Sequence, residues 1–148
     1  MIELVSEQNL KEVLPLIRMY QEFYKVDDIS DDRNISFFSQ FGNDSDKGCL
    51  FLYRLDNKVV GFATVYFSYS STIASKVAIL NDLFTLPETR GLGIGKKLVE
   101  FSREYALEMG ASRLQWVTAL DNDAAQKLYD SMPTNKSTWH FYTYNEQN

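Results

Sequence analysis

Leu80-Asn81-Asp82-Leu83-Phe84-Thr85-Leu86-Pro87, running through Glu88-Thr89 into Arg90-Gly91-Leu92-Gly93-Ile94-Gly95-Lys96-Lys97, is the stretch whose reading decides the fold. Its first part closes a β-rich run, Val77 to Leu86, which Pro87 ends. Its second part opens a helix in which Ile94, Leu98, Phe101 and Tyr105 step by four, three and four along one face, with Gly110 placed to end it. Strand, glycine-rich turn, amphipathic helix is the arrangement an anion site requires. Glycine lets the backbone approach a ligand and adopt positive φ. The first helical turn leaves N–H groups without internal partners at the positive end of the dipole. A phosphate fits there.

Two familiar nucleotide signatures do not fit this segment. A P-loop needs four residues between its glycine and Gly-Lys-Ser/Thr; here three residues separate Gly91 from Gly95, and Lys97 stands where a hydroxyl belongs. A dinucleotide fingerprint needs Gly-x-Gly-x-x-Gly, and Lys96 occupies the third glycine position.

Working outward, Arg113 to Ala119 reads as the next strand, and Asn122 to Ser131 as a short helix capped by Asp121 or Asn122. Ser137 to Tyr144 reads as a final strand. Upstream, Cys49 to Leu55 and Lys58 to Tyr69 form a hairpin across Asp56-Asn57, two residues that tolerate the positive φ of a tight turn. Leu10, Val13, Leu14, Ile17, Tyr20 and Phe23 trace one face of a helix over Asn9 to Tyr24, in which Pro15 predicts a kink or a frayed first turn. Val26 to Asn34 is Asp-rich and loop-like, Ile35 to Phe41 is a short second helix, and Ile2 to Val5 an edge strand. Val77 to Ala119 implies a parallel crossover and the hairpin antiparallel pairing, so a mixed sheet with helices on its faces follows.

The 148 residues, 45% of them hydrophobic and including ten Phe, nine Tyr and two Trp, suit a single domain spanning 1–148. The lone Cys49 excludes an intrachain disulfide and suits a reducing compartment. Neither a secretory leader nor an apolar run near the roughly 20 residues of a membrane span is visible, so the chain reads as soluble and cytoplasmic, with no membrane partner. A net charge of −5 argues against nucleic acid as a partner. No His/Cys cluster suggests a metal; His140 and Trp139 read as packing or pocket wall.

Arg90-x-x-Gly93-x-Gly95, preceded by Leu80 to Pro87, closely resembles the acyl-CoA motif of the GNAT family of N-acetyltransferases. Asn122-Asp123-Ala124-Ala125-Gln126-Lys127-Leu128-Tyr129 resembles that family's second motif, and the element order is similar along nearly the whole chain. The resemblance implies an α/β (α+β) fold: a mixed, mostly antiparallel sheet of about six or seven strands flanked by about four helices, with two parallel strands splayed at the acyl-CoA site. It implies acetyl-CoA as cofactor and transfer of the acetyl group to an amine. The backbone from Gly91 through Leu92, Gly93, Ile94 and Gly95 to Lys96 would grip the pyrophosphate, with Arg90 fixing the loop. Leu83 and Thr85 would bond the pantetheine arm, a main-chain N–H near Phe84 would face the thioester carbonyl, and Asn122 and Ala125 would flank the arm.

Tyr129 matches the tyrosine that commonly protonates the departing thiolate in that family. The base is open. Asn81 stands where several members carry a Glu and cannot take a proton; Asp82 is adjacent but should face the other side of the strand unless a bulge re-aims it. A water chain, or arrival of an already neutral amine, is the alternative. The family resemblance also places the acceptor beside the loop between the first two helices. There Asp27, Asp28, Asp31 and Asp32 stand with Tyr20, Phe23, Tyr24, Phe37 and Phe38, a setting that suits a small cationic amine. A protein lysine or N-terminal amine, or a non-catalytic acyl-CoA sensor, are the rival readings. Members of the family often dimerise, and the aromatic-rich last strand could pair across subunits into a homodimer.

Overall fold

A computed structural model describes residues 1–146 and divides into two compact units, Met1–Val117 and a second beginning at Thr118. The first contains a sheet ordered β1-β2-β3-β4-β5: β1 (Ile2–Leu4), β2 (Gly48–Leu55), β3 (Lys58–Ser70), β4 (Ser75–Thr85) and β5 (Leu114–Gln115). The first three pairings are antiparallel and β4–β5 is parallel, with α3 (Ile94–Glu108) as the crossover. Asp56 and Asn57, at φ 50° and 65°, turn β2 into β3 as the sequence predicts.

Strand alternation sorts β3 onto two faces. Phe62 meets Tyr20 of α1 (Leu10–Phe23), and Tyr66 stacks on Phe41, which lies beyond α2 (Asp31–Phe38). On the other face a Cβ on Gly61 would come 3.4 Å from Leu98 of α3, and Phe67 stacks on Tyr105. The core is therefore a sheet between two helical layers, with Phe51, Phe62, Leu50, Leu52, Ile17 and Leu98 fully buried.

Several boundaries differ from those expected, each for a physical reason. The described residues contain five strands, not six or seven. Arg113 to Ala119 pairs with β4 only at Leu114 and Gln115, opposite Ala78 and Ile79. The ladder stops just before a β-bulge in β4, and a bulge bends its strand away from a straight partner. Ser137 to Tyr144 forms no strand; Trp139, Phe141, Tyr142 and Tyr144 are at least 85% exposed, and β-forming residues need a neighbouring strand to pack on. The Asp-rich stretch read as loop instead starts α2 at Asp31, because Ser30 accepts the Arg33 N–H at 3.2 Å and Asp31 and Asp32 favour the positive helix end. Pro15 lies inside α1 with the first turn helical, on the exposed side, where water can serve the carbonyl left without an N–H partner.

The second unit holds α4 (Asp123–Asp130). The Asn122 side chain caps it by accepting the Ala125 N–H at 3.2 Å, and the Gln126 amide bonds the Ala119 and Leu120 carbonyls at 3.1 and 2.9 Å. No residue of α4 is buried.

Candidate active site

The bulge in β4 is the first feature that builds the site. Val65 pairs with Leu80 and Thr64 with Asp82, so Asn81 is the extra residue between them. Without it, alternation from Leu80 would send Asp82 to the α3 face. With it, Asp82 lies opposite Thr64 on the α1 face, next to the Asn81 side chain. This is the exception the strand pattern left open. Asn81 Nδ2 lies 3.3 and 3.2 Å from the two carboxylate oxygens of Asp82, and the Thr64 hydroxyl donates to Oδ2. The Tyr20 ring packs on this face, edge-on to Tyr24 and Phe62. Burial, then the Asp82 charge, pushes the Tyr20 hydroxyl far above the usual tyrosine range. The same two causes push Tyr66 up to about 12. Phe62 and Phe84 wall this carboxylate, their rings 5.7 and 6.1 Å from Tyr20.

The second feature is the far edge of β4. The Ala78 N–H bonds Arg113 O at 2.9 Å, but the β5 ladder ends one residue later. Near the end of β4, the Leu86 N–H turns to Val60 O of β3 at 2.8 Å, while Thr85 O accepts from Arg90 Nη2 at 3.3 Å. Alternation therefore directs the main-chain groups of Leu83 and Thr85 to the open edge and those of Phe84 toward β3.

The third feature is the glycine turn. Gly91 and Gly93 have φ 87° and 80°, a region L side chains rarely adopt, and nothing stands within 4 Å of the place a Cβ would fill. Thr89 anchors the preceding turn through Oγ1 to Leu86 O at 2.8 Å. The first backbone bond of α3 runs from Lys97 N–H to Gly93 O at 3.1 Å, so the N–H groups of Ile94, Gly95 and Lys96 precede the helical ladder. Arg90, Leu92, Lys96 and Lys97 are exposed around them. Open backbone, a positive helix end and cations fit a diphosphate; the free edge of β4 fits an extended amide-bearing arm.

The remaining predicted residues lie as follows. Tyr24 is 57% exposed with its ring 5.0 Å from Tyr20. Asp27 and Asp28 lie in the exposed loop between α1 and α2; the Asp28 carbonyl accepts from Arg33 at 2.7 Å, and Arg18 pairs with Asp31 at 3.1 Å. Asn122, Ala125 and Tyr129 belong to the second unit, where Asn122 and Ala125 are joined as the α4 cap and Tyr129 O accepts from Thr134 Oγ1 at 2.9 Å. Thr64 is the residue sequence reasoning missed. A threonine in a β-rich run looks like strand filler, and only the shifted register puts it opposite Asp82.

Residues 13–132 match the model of the Acetyltransferase (GNAT) family, and this chain belongs to that family. It is an acetyl-CoA-dependent N-acetyltransferase. Thialysine N-epsilon-acetyltransferase of Bos taurus is 30% identical, the match covering 97% of this chain and 91% of that protein. A solved probable acetyltransferase has a TM-score of 0.83 at 25% identity, over 98% and 97% of the two chains. An aminoglycoside N-acetyltransferase solved in complex with CoA has a TM-score of 0.78 at 18% identity over 98% and 99%, a likeness of fold.

Proposed function

We propose that this enzyme acetylates a primary amine of a small cationic molecule by direct attack in a ternary complex, with Asp82 and Tyr129 as its catalytic side chains. The observation that carries this reading is the bulge at Asn81, which turns a carboxylate onto an aromatic-walled face beside the strand edge where an acyl-CoA arm fits. Acetyl-CoA, when bound, supplies the acetyl group as a thioester. The backbone of Gly91 to Lys96, steadied by Arg90, holds the diphosphate, and Leu83 and Thr85 offer main-chain groups to the arm. The Leu83 N–H, at that edge, offers a hydrogen bond to an acyl oxygen. Neutralising a lysine-like ammonium at pH 7 costs about 4–5 kcal/mol. Asp82 takes that proton, directly or through water, and Asn81, which cannot, serves as a donor to it. Tyr129 carries the O–H that returns a proton to sulfur.

Asp82, Tyr20 and Tyr24 suit a cation with apolar flanks, and Asp27 and Asp28 suit a second, distal charge. The bovine relative acts on thialysine, itself a small amine, which favours a small acceptor over a protein lysine or N-terminus. The family match crosses from the first unit into the second, which supports one acetyltransferase domain over residues 1–148. A homodimer paired through the exposed aromatics of 137–144 and a reducing, cytoplasmic setting for the Cys49 thiol belong to the same proposal.

CoA-thiol release with a panel of monoamines, diamines, amino acids and lysine peptides tests the reading. Turnover should be greatest with small di- or polycationic amines. Peptide turnover above all of them would sink the small-acceptor assignment. Acetyl-CoA binding with no turnover on any amine would make the domain a sensor. Tyr129→Phe should lower kcat by roughly 100-fold or more, and parental kcat would remove Tyr129 from the mechanism.

A further inference from the structure

We infer that Thr64 is a positioning residue for the acceptor amine, locking the Asp82 carboxylate together with Asn81 so that one lone pair is held ready for the amine N–H. The inference deepens the proposed function and rests on its assignment of Asp82.

Thr64 is fully buried. Valine has nearly its shape, and a buried hydroxyl is costly unless it is hydrogen-bonded, so packing alone gives no reason for threonine here. The Thr64 hydroxyl donates to Asp82 Oδ2 across the bulged pair. Asn81 Nδ2 straddles the two oxygens at 3.3 and 3.2 Å. The Tyr20 ring packs on the same face, edge-on to Phe62 and Phe84 at 5.7 and 6.1 Å.

An ionised carboxylate offers about four acceptor sites. Thr64 occupies one and Asn81, within reach of both oxygens, two more, which leaves one for the incoming amine. The arrangement also accounts for Asn81. A second carboxylate at that position would set like charges side by side, whereas the amide donates and completes the clamp. Thr64 thus acts through Asp82 and on the amine, with no contact to acetyl-CoA required.

The experiment measures kcat/KM for the best amine of the panel in Thr64→Val and Thr64→Ser, each made in the parental and the Asp82→Asn backgrounds. Thermal stability and calorimetric acetyl-CoA affinity are followed in parallel. Thr64→Val should lose about tenfold or more, the scale of a hydrogen bond to a charged group. Thr64→Ser, which keeps the hydroxyl, should recover most of that loss. In the Asp82→Asn background the loss should shrink toward nothing, because coupled residues are non-additive, and acetyl-CoA affinity should not move. Parental turnover in Thr64→Val, alongside a large loss in Asp82→Asn, overturns this inference and leaves Asp82 standing. An unchanged loss in the Asp82→Asn background also overturns it. Parental turnover in Asp82→Asn overturns both.

Discussion

The two flanks of the sheet are built to opposite specifications. On the β1–β2–β3 flank, strands pair along their lengths but for one extra residue, Val60, near the hairpin turn, and Glu3, Arg54 and Glu12 tie β1, β2 and α1 together. On the β4 flank the parallel ladder covers only Ala78 and Ile79, then a bulge interrupts the antiparallel one, and a glycine turn with two residues at positive φ follows. Every departure from regular geometry that serves the proposed chemistry lies on the second flank. The lesson is a division of labour: one flank supplies stability that the other does without in order to leave backbone groups free for a ligand. Several local rules failing together at one edge of a sheet are the expected mark of a functional site.

The division predicts that substitutions on the two flanks separate into activity and stability effects. Asp82→Asn should show the largest activity effect. As a proton acceptor Asp82 is worth about 100- to 10,000-fold in rate, so kcat should fall on that scale while the melting temperature stays close to parental. A comparable loss of stability would mean that Asp82 is structural and the contrast false. Leu52→Ala on the opposite flank should do the reverse. Leu52 is fully buried between Glu3 and Phe62 in the register, and truncating it should cost about 2–5 kcal/mol in chemical denaturation with little change in kcat of the folded fraction.

How much of this could be read without coordinates follows the same line. The regular flank was legible: the β2–β3 hairpin, its Asp56-Asn57 turn and the α1 face all follow from period and turn chemistry. The glycine turn was legible too, because positive φ and a helix start leave a compositional trace. The bulge was not. Asn81 and Asp82 look like any polar pair in a strand, and a slip of one residue reverses which side chain faces which layer. Thr64 was hidden for the same reason, since its meaning depends on what stands across the ladder. The extent of β5 and the strand expected at 137–144 depend on a neighbour being present, which local pattern does not encode.

The glycine turn offers a sharper test of the open flank, with a smaller expected effect. At Gly93 nothing crowds a Cβ, so Gly93→Val can fail only through backbone conformation. Forcing a non-glycine residue into the left-handed region costs about 1–2 kcal/mol, and more for a β-branched side chain. Acetyl-CoA affinity by calorimetry should fall by about tenfold, with the amine KM less affected. Gly42, where φ is not positive and nothing lies within 4 Å either, is the control: Gly42→Val should leave acetyl-CoA affinity at the parental value. Equal losses in the two variants would detach the effect from the turn.

The smallest effect belongs to the ion pairs of the regular flank. Arg54 meets Glu3 at 2.6 Å and Glu12 at 3.0 Å. Its hydrogen bonds hold both carboxyls below their ordinary value of 4.5, against the opposing pull of desolvation. A carboxyl whose value is lowered on folding contributes stability that is present above the unfolded value and lost as pH falls through the folded one. The gap in melting temperature between the parental protein and Arg54→Met should therefore be widest near neutral pH and close as pH drops below 4.5. It should also narrow in high salt, since these charges are partly solvent-exposed and screened. Acetyl transfer measured at pH 7 should not change. A gap that stayed constant with pH would mean that Arg54 stabilises through the packing of its stem, and a loss of acetyl transfer would mean that the two flanks are not independent.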